Sequence, residues 1–292
     1  MDWKRKKEKN SAIVEREHRI SETVTVPLLH FPLLEETGIV KEGFSTRMGG
    51  VSEGIFSTMN LSFTRGDNRE CVEENYRRIA AALGTEYDRF VCSDQTHTTN
   101  VKKITEKDAG NGVTREREYH DVDGLITDVP GLVLTTFYAD CVPLYFVDPC
   151  HRAIGLSHSG WRGTVARMGK ATIEAMHREY GSNPQDIRCA IGPSICQDCY
   201  EVSEDVAQEF LKEFPGHGSE LLIQKENGKY QLDLWKANEI VLTEAGIPKE
   251  HLAVTDICTC CNPDLLFSHR ASHGKRGNLA AFLMLKDEKN LE

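Results

Sequence analysis

A mixed β-sheet flanked by helices, α+β or layered α/β, is the class this sequence predicts. Two observations point there. Strand-like runs rich in β-branched and aromatic residues dominate the first half, and stretches with helical apolar spacing are interspersed later. From about Thr23 to Leu285 no repeat, low-complexity tract or linker interrupts the chain. Residues 23–287 therefore read as one domain behind a polar tail, residues 1–22.

In chain order, strands are expected at 24–30 and 40–46. A helix over 70–83 follows, with Val72, Ile79, Ala82 and Leu83 on its apolar face and Gly84 stopping it. Strands come next at 89–94 and 100–104. The polar, glycine-broken stretch 105–122 reads as a surface loop near the strand ends. Asp123 and Gly124 read as a turn into a strand at 123–127, ahead of further strands at 131–138, 142–147 and 152–158. Val165, Met168, Ile173 and Met176 predict a helix over 163–180, and a strand follows at 187–192. Helices are expected at 203–214, 233–246 and 248–251, with Asp233 capping the second, and a last strand at 279–285.

The bulk numbers exclude several function classes. The 292 residues suffice for a sizeable core, and no apolar run is long enough to span a bilayer. A net charge of −10 disfavours nucleic acid as the main partner but leaves room for a local arginine cluster around a small anion. No apolar signal core follows the basic run near the start, and the ten cysteines are irregularly spaced. Both features predict reduced thiols in a cytoplasmic protein.

Three residues carry the strongest chemical signal. His97, Cys141 and His158 each close an expected strand, and two imidazoles with one thiolate leave a tetrahedral ion one ligand short, as in catalytic zinc sites. Singly, each is more often a structural histidine or a small buried hydrophobe. Their company strengthens the reading: an acid and a proline flank Cys141, and Ser157-His-Ser-Gly-Trp-Arg-Gly163 is a strand–turn–helix entry suited to an anion. Arg47, before Gly49 and Gly50, and Arg162 are candidate substrate contacts, because guanidinium offers a planar fork to phosphate or carboxylate. Cys196-Gln-Asp-Cys199 and Cys258-Thr-Cys260-Cys261 together could form a four-thiolate zinc site if the two segments meet. Phosphate-loop, dinucleotide and Gly-x-Ser-x-Gly motifs are absent.

An ordered set of motifs resembles one known family. They include Phe44-Ser-Thr-Arg-Met-Gly-Gly50, Gln95-Thr-His97, Asp123-Gly-Leu-Ile-Thr127, Ala139-Asp-Cys-Val-Pro143, His158-Ser-Gly-Trp-Arg-Gly163 and Cys199-Tyr-Glu-Val202. From about residue 25 to 285 the chain is similar to the YfiH family, also called the laccase-domain or multicopper polyphenol oxidase family and regarded as purine nucleoside phosphorylases. The resemblance implies a single layered α-β-β-α catalytic domain with zinc on His97, Cys141 and His158. It implies phosphorolysis of adenosine, inosine, guanosine and methylthioadenosine to base and ribose 1-phosphate, with adenosine deamination on the side. Partners would be purine nucleosides and inorganic phosphate, with no nucleic acid or membrane; the oligomeric state stays open, a monomer included. The chain departs from the family at Ser268-His-Arg-Ala-Ser-His-Gly274, where many relatives carry a second arginine in place of Ala271. Competing readings are a copper phenol oxidase (copper could bind in vitro), a cysteine hydrolase using Cys141 and His158, and a non-catalytic nucleoside-binding subunit.

Overall fold

The structure, a computed structural model, describes residues 1–6 and 11–287. From the N-terminus run Val14–Arg19 (β1), Thr25–His30 (β2), Pro32–Glu35 (α1), Val40–Ser45 (β3) and the long helix Arg69–Leu83 (α2). Phe90–Cys92 (β4), Val101–Lys103 (β5), Gly124–Thr127 (β6), Val133–Tyr138 (β7), Val142–Asp148 (β8) and Ala153–Ser159 (β9) follow. Trp161–Val165 (α3) and Met168–Tyr180 (α4) precede Arg188–Ile191 (β10), Glu201–Val202 (β11), Glu204–Glu213 (α5) and Gly218–Leu221 (α6). Leu222–Gln224 (β12), Tyr230–Leu232 (β13), Leu234–Glu244 (α7), Leu252–Val254 (β14) and Leu279–Leu285 (β15) complete the order.

Two six-stranded mixed sheets pack face to face, ordered β1-β2-β3-β15-β7-β4 and β14-β10-β8-β9-β6-β5, and β11-β13-β12 forms a small third sheet. Period-two alternation builds the layers. In β15, Leu279, Ala281, Leu283 and Leu285 face the core between the sheets, while Ala280, Phe282 and Met284 face α2. In β8, Tyr145 and Val147 point inward, and Leu144 and Phe146 meet Ile173 and Met176 of α4 and Leu234 and Val241 of α7. The result is the expected α-β-β-α stack. Helix ends follow their sequence signals: Asn68 caps α2 through the N–H of Glu70 (2.8 Å), Gly84 closes it at φ +63°, and Asp233 caps α7 through the N–H of Lys236 (2.9 Å).

Several expectations are corrected. The supposed polar tail contains β1, which pairs with β2 along its whole length, and Arg5 reaches the buried carboxylate of Asp256 at 2.9 Å; residues 7–10 lie outside the described residues. The expected helix 163–180 is broken at Arg167 (φ +59°), whose guanidinium is held by Glu213 and Glu244. Residues 249–251 form only a 3₁₀ turn. Strands β11–β14 are too short for periodicity to show, and only their pairing defines them.

Candidate active site

The site forms where the chain crosses between layers. β7 belongs to the first sheet and β8 to the second, so the bend 139–141 passes from one to the other. Register then decides the neighbours: Pro143 lies opposite His158, and Gly124 lies opposite Ser157. A bridge between Asp94 and Val122 draws the segment leaving β4, which carries His97, against the same sheet end. Of the three expected strand-end residues, only His158 stands on a strand; His97 and Cys141 occupy bends. The structure nonetheless brings all three together, with one donor atom of each within 4.8 Å of the others.

Asp123, read from sequence as a turn residue, is the hub of this arrangement. Its buried carboxylate accepts from His158 Nδ1 (2.8 Å) and from the His97 N–H (3.1 Å). The other oxygen accepts from the N–H groups of Thr96 (3.0 Å) and Thr98 (2.9 Å). One side chain thus orients one imidazole, with its Nε2 turned towards Cys141, and fixes the loop that carries the other. Gln95 adds a second clamp: its Nε2 donates to the Phe137 carbonyl and its Oε1 accepts the Phe137 N–H, both at 2.7 Å, as a neighbouring strand would. These bonds hold His97 at φ +68°, a left-handed conformation costing on the order of 1 kcal/mol for a side-chain-bearing residue. Gly160 is required sterically, since a Cβ there would stand 2.9 Å from His97 Cδ2 and 3.1 Å from Cys141 Sγ.

The electrostatics favour an ionised sulfur. Desolvation pushes the Cys141 thiol up, but His158 and His97 outweigh it and bring it down to about 6. Burial pulls His158 down, yet Cys141 and Asp123 raise it to about 9. A cation at the cluster would displace the proton that these groups share.

A cleft of about 820 Å³ opens over the cluster. Its walls hold Phe63 and Phe137, the loop residues Thr114 and His120, and five arginines: Arg65, Arg69, Arg115, Arg117 and Arg276. The polar stretch 105–122 therefore forms one wall. Arg117 is committed to Asp94 (2.6 Å) and Arg69 to Glu73 (2.9 Å). Arg276 is different. It is largely buried, its Nε finds no partner among the described residues, and burial followed by the nearby Arg65 lowers its pKa to about 10. It stays charged at neutral pH beside a second guanidinium, a pairing that an anion would relieve.

The two arginines expected at the substrate do not line this cleft. Arg47 donates to the carbonyls of Ser57 (2.8 Å) and Pro263 (2.7 Å) and covers the Phe267 ring, which ties it to the scaffold. Arg162 is exposed on α3 and stacks on Trp161. Sequence reasoning missed the roles of Asp123, Arg65 and Arg276. A buried Asp-Gly pair looks like any turn, and a basic residue near the C-terminus looks like any solvated surface. The two Cys-x-x-Cys segments also converge, away from the cleft.

The profile of the multi-copper polyphenol oxidoreductase laccase family matches residues 41–286. The chain belongs to that family. This laccase-domain chain is 36% identical over 249 residues to the purine nucleoside phosphorylase YlmD of Bacillus subtilis, covering 84% of this chain and 88% of the relative. It is also 36% identical over 231 residues to adenosine deaminase RL5 from an unknown prokaryotic organism, covering 78% and 88% of the two chains. Among crystal structures, the hypothetical protein YfiH of Bacillus licheniformis superimposes with a TM-score of 0.84 at 34% identity, covering 92% of this chain and 98% of that one. The layered fold is therefore that of the laccase-domain family.

Proposed function

We propose that this protein is a zinc-dependent purine nucleoside phosphorylase acting on adenosine, inosine, guanosine and methylthioadenosine, with adenosine deamination as a side activity. One observation carries the reading: a three-donor cluster, His97, Cys141 and His158, at an arginine-lined cleft of about 820 Å³, roomy enough for a nucleoside with phosphate. The donor set fits zinc, with a thiol already drawn towards thiolate and one imidazole oriented by a carboxylate. Held by these three side chains, zinc would supply Lewis-acid stabilisation to oxygen atoms of the substrates.

The rest falls to the protein. In phosphorolysis the bond between the purine nitrogen and C1′ breaks while a phosphate oxygen bonds to C1′, and positive charge develops on the sugar. Arg276 and Arg65 would hold the phosphate, with Arg276 aimed by its bond to Asn278 and desolvated enough to bind anions strongly. Phe63 and Phe137 offer apolar surface to the purine. Asp123 keeps His97 and His158 in fixed geometry through the cycle. Relatives named phosphorylase and deaminase support both activities. A laccase-type trinuclear copper cluster would need His-x-His pairs, and the eleven histidines of the sequence form none.

The deciding experiment incubates the purified chain with adenosine or inosine, with and without phosphate, and separates the products. Free base with ribose 1-phosphate, formed only when phosphate is present, is expected. Release of free ribose irrespective of phosphate, or oxidation of a phenol without nucleoside cleavage, would overturn the proposal.

A further inference from the structure

Cys196-Gln-Asp-Cys199 leaves the end of β10, and Cys258-Thr-Cys-Cys261 leaves the end of β14, the strand paired with it. A bridge between Ser194 and Cys258 brings the two segments side by side. Each makes a tight turn: the N–H of Cys199 donates to the Cys196 carbonyl (3.1 Å), and that of Asn262 to the Thr259 carbonyl (3.3 Å). All four sulfur atoms lie within 4.8 Å of one another, with Cys199 to Cys261 at 3.5 Å and Cys196 to Cys261 at 3.9 Å. A disulfide needs about 2.05 Å. Four sulfurs around one zinc, each about 2.3 Å from it, would stand about 3.8 Å apart.

Backbone donors converge on one of these sulfurs. The N–H groups of Cys196 (3.2 Å) and Cys261 (3.4 Å) both donate to Cys258 Sγ, a bond that stabilises negative sulfur. Cys196 and Cys258 are buried, and none of the four lines the catalytic cleft. We infer that Cys196, Cys199, Cys258 and Cys261 hold a second, structural zinc ion in a closed four-thiolate shell. Cys260, between two of the ligands, is outside it.

The ion would brace the segment before Cys141. Thr259, inside the second turn, donates its hydroxyl to Asp140 Oδ1 at 2.6 Å, and the N–H of Ile195, just before the first, donates to the Asp140 carbonyl at 3.0 Å. Asp140 itself is held at φ +93° and also accepts the Arg270 N–H (2.7 Å). The N-terminal segment is secured as well, because Asn262 exchanges hydrogen bonds with the backbone of Lys4 on one side and donates to the Cys258 carbonyl on the other. Four sulfurs complete the coordination, so this ion takes no substrate.

The test uses the full chain, purified without chelator, and elemental analysis. Two zinc ions per chain are expected in the wild type and in Cys260→Ser, and one in Cys141→Ala. The double variant Cys199→Ser/Cys261→Ser should also hold one. Should that variant fail to fold, X-ray absorption on the Cys141→Ala protein decides, with four sulfur neighbours at about 2.3 Å expected. Metal-free Cys141→Ala protein, a nitrogen- or oxygen-dominated shell, an intact mass short of two hydrogens per disulfide, or iron with acid-labile sulfide would each overturn the inference.

Discussion

The molecule gathers side chains able to bind a soft cation twice, and the two groups differ in number and type of donor. At the cleft stand three donors of mixed type, graded from exposed His97 through half-buried Cys141 to buried His158. Behind it stand four sulfurs, supplied by two like turns at the ends of adjacent strands. The open group is assembled across two sheets and depends on a carboxylate hub, Asp123, to hold its geometry. The closed group needs no such hub, because its own peptide N–H groups point at sulfur. A missing ligand gives access to a reactant, whereas a full shell gives only rigidity. Asp140 joins the two, bonded to the turns of the four-sulfur group and preceding Cys141 of the other.

The sharpest way to break this contrast is at the open group. Cys141→Ala should lower phosphorolysis by about a thousandfold or more, as loss of a metal ligand does, while the melting temperature moves little. Ribose 1-phosphate release and thermal denaturation read the two effects; collapse of the fold in this variant would erase the distinction. The converse change, Cys258→Ala, should lower the melting temperature by about 5–10 °C, since structural metal binding is folding free energy. Residual activity per folded molecule should survive. Complete inactivation of a folded Cys258→Ala protein would show that the closed group also takes part in chemistry.

Smaller changes sharpen the picture. Asp123→Asn should weaken metal binding at the cleft by about 10–100-fold, the range for losing a partner of a ligating histidine. Competition with a calibrated chelator measures it. Arg276→Met should raise the KM for phosphate about tenfold, roughly one charge-assisted contact, with the nucleoside KM unchanged. Steady-state kinetics at varied phosphate would decide, and equal rises in both constants would remove Arg276 from the phosphate. Arg162→Ala, on the exposed face of α3, should alter neither constant by more than about twofold.

The legible and illegible parts of this protein divide along physical lines. β15 and β8 could be read directly, because period-two alternation survives wherever a strand is covered on both faces. α2 and α7 announced their ends through Gly84 and Asp233. By contrast β1 carries Glu15, Arg16, Glu17, His18 and Arg19, so an edge strand held mainly by backbone pairing resembled a solvated tail. Arg47 misled in the opposite sense. A guanidinium beside two glycines suggests an anion clamp, yet here carbonyl oxygens and an aromatic ring occupy it.

What the amino-acid order determined alone was the stock of parts: which side chains can bind a soft cation, which stretches alternate, and where helices begin and stop. These are local properties, set by side-chain chemistry and by periods of two or 3.6 residues. Only the tertiary structure decided which parts meet. Strand order and register placed Asp123 against His158, carried His97 and Cys141 to the same sheet end, and turned Arg276 rather than Arg47 into the cleft. Separation along the chain holds no record of those pairings, because they arise from two sheets closing on a common core.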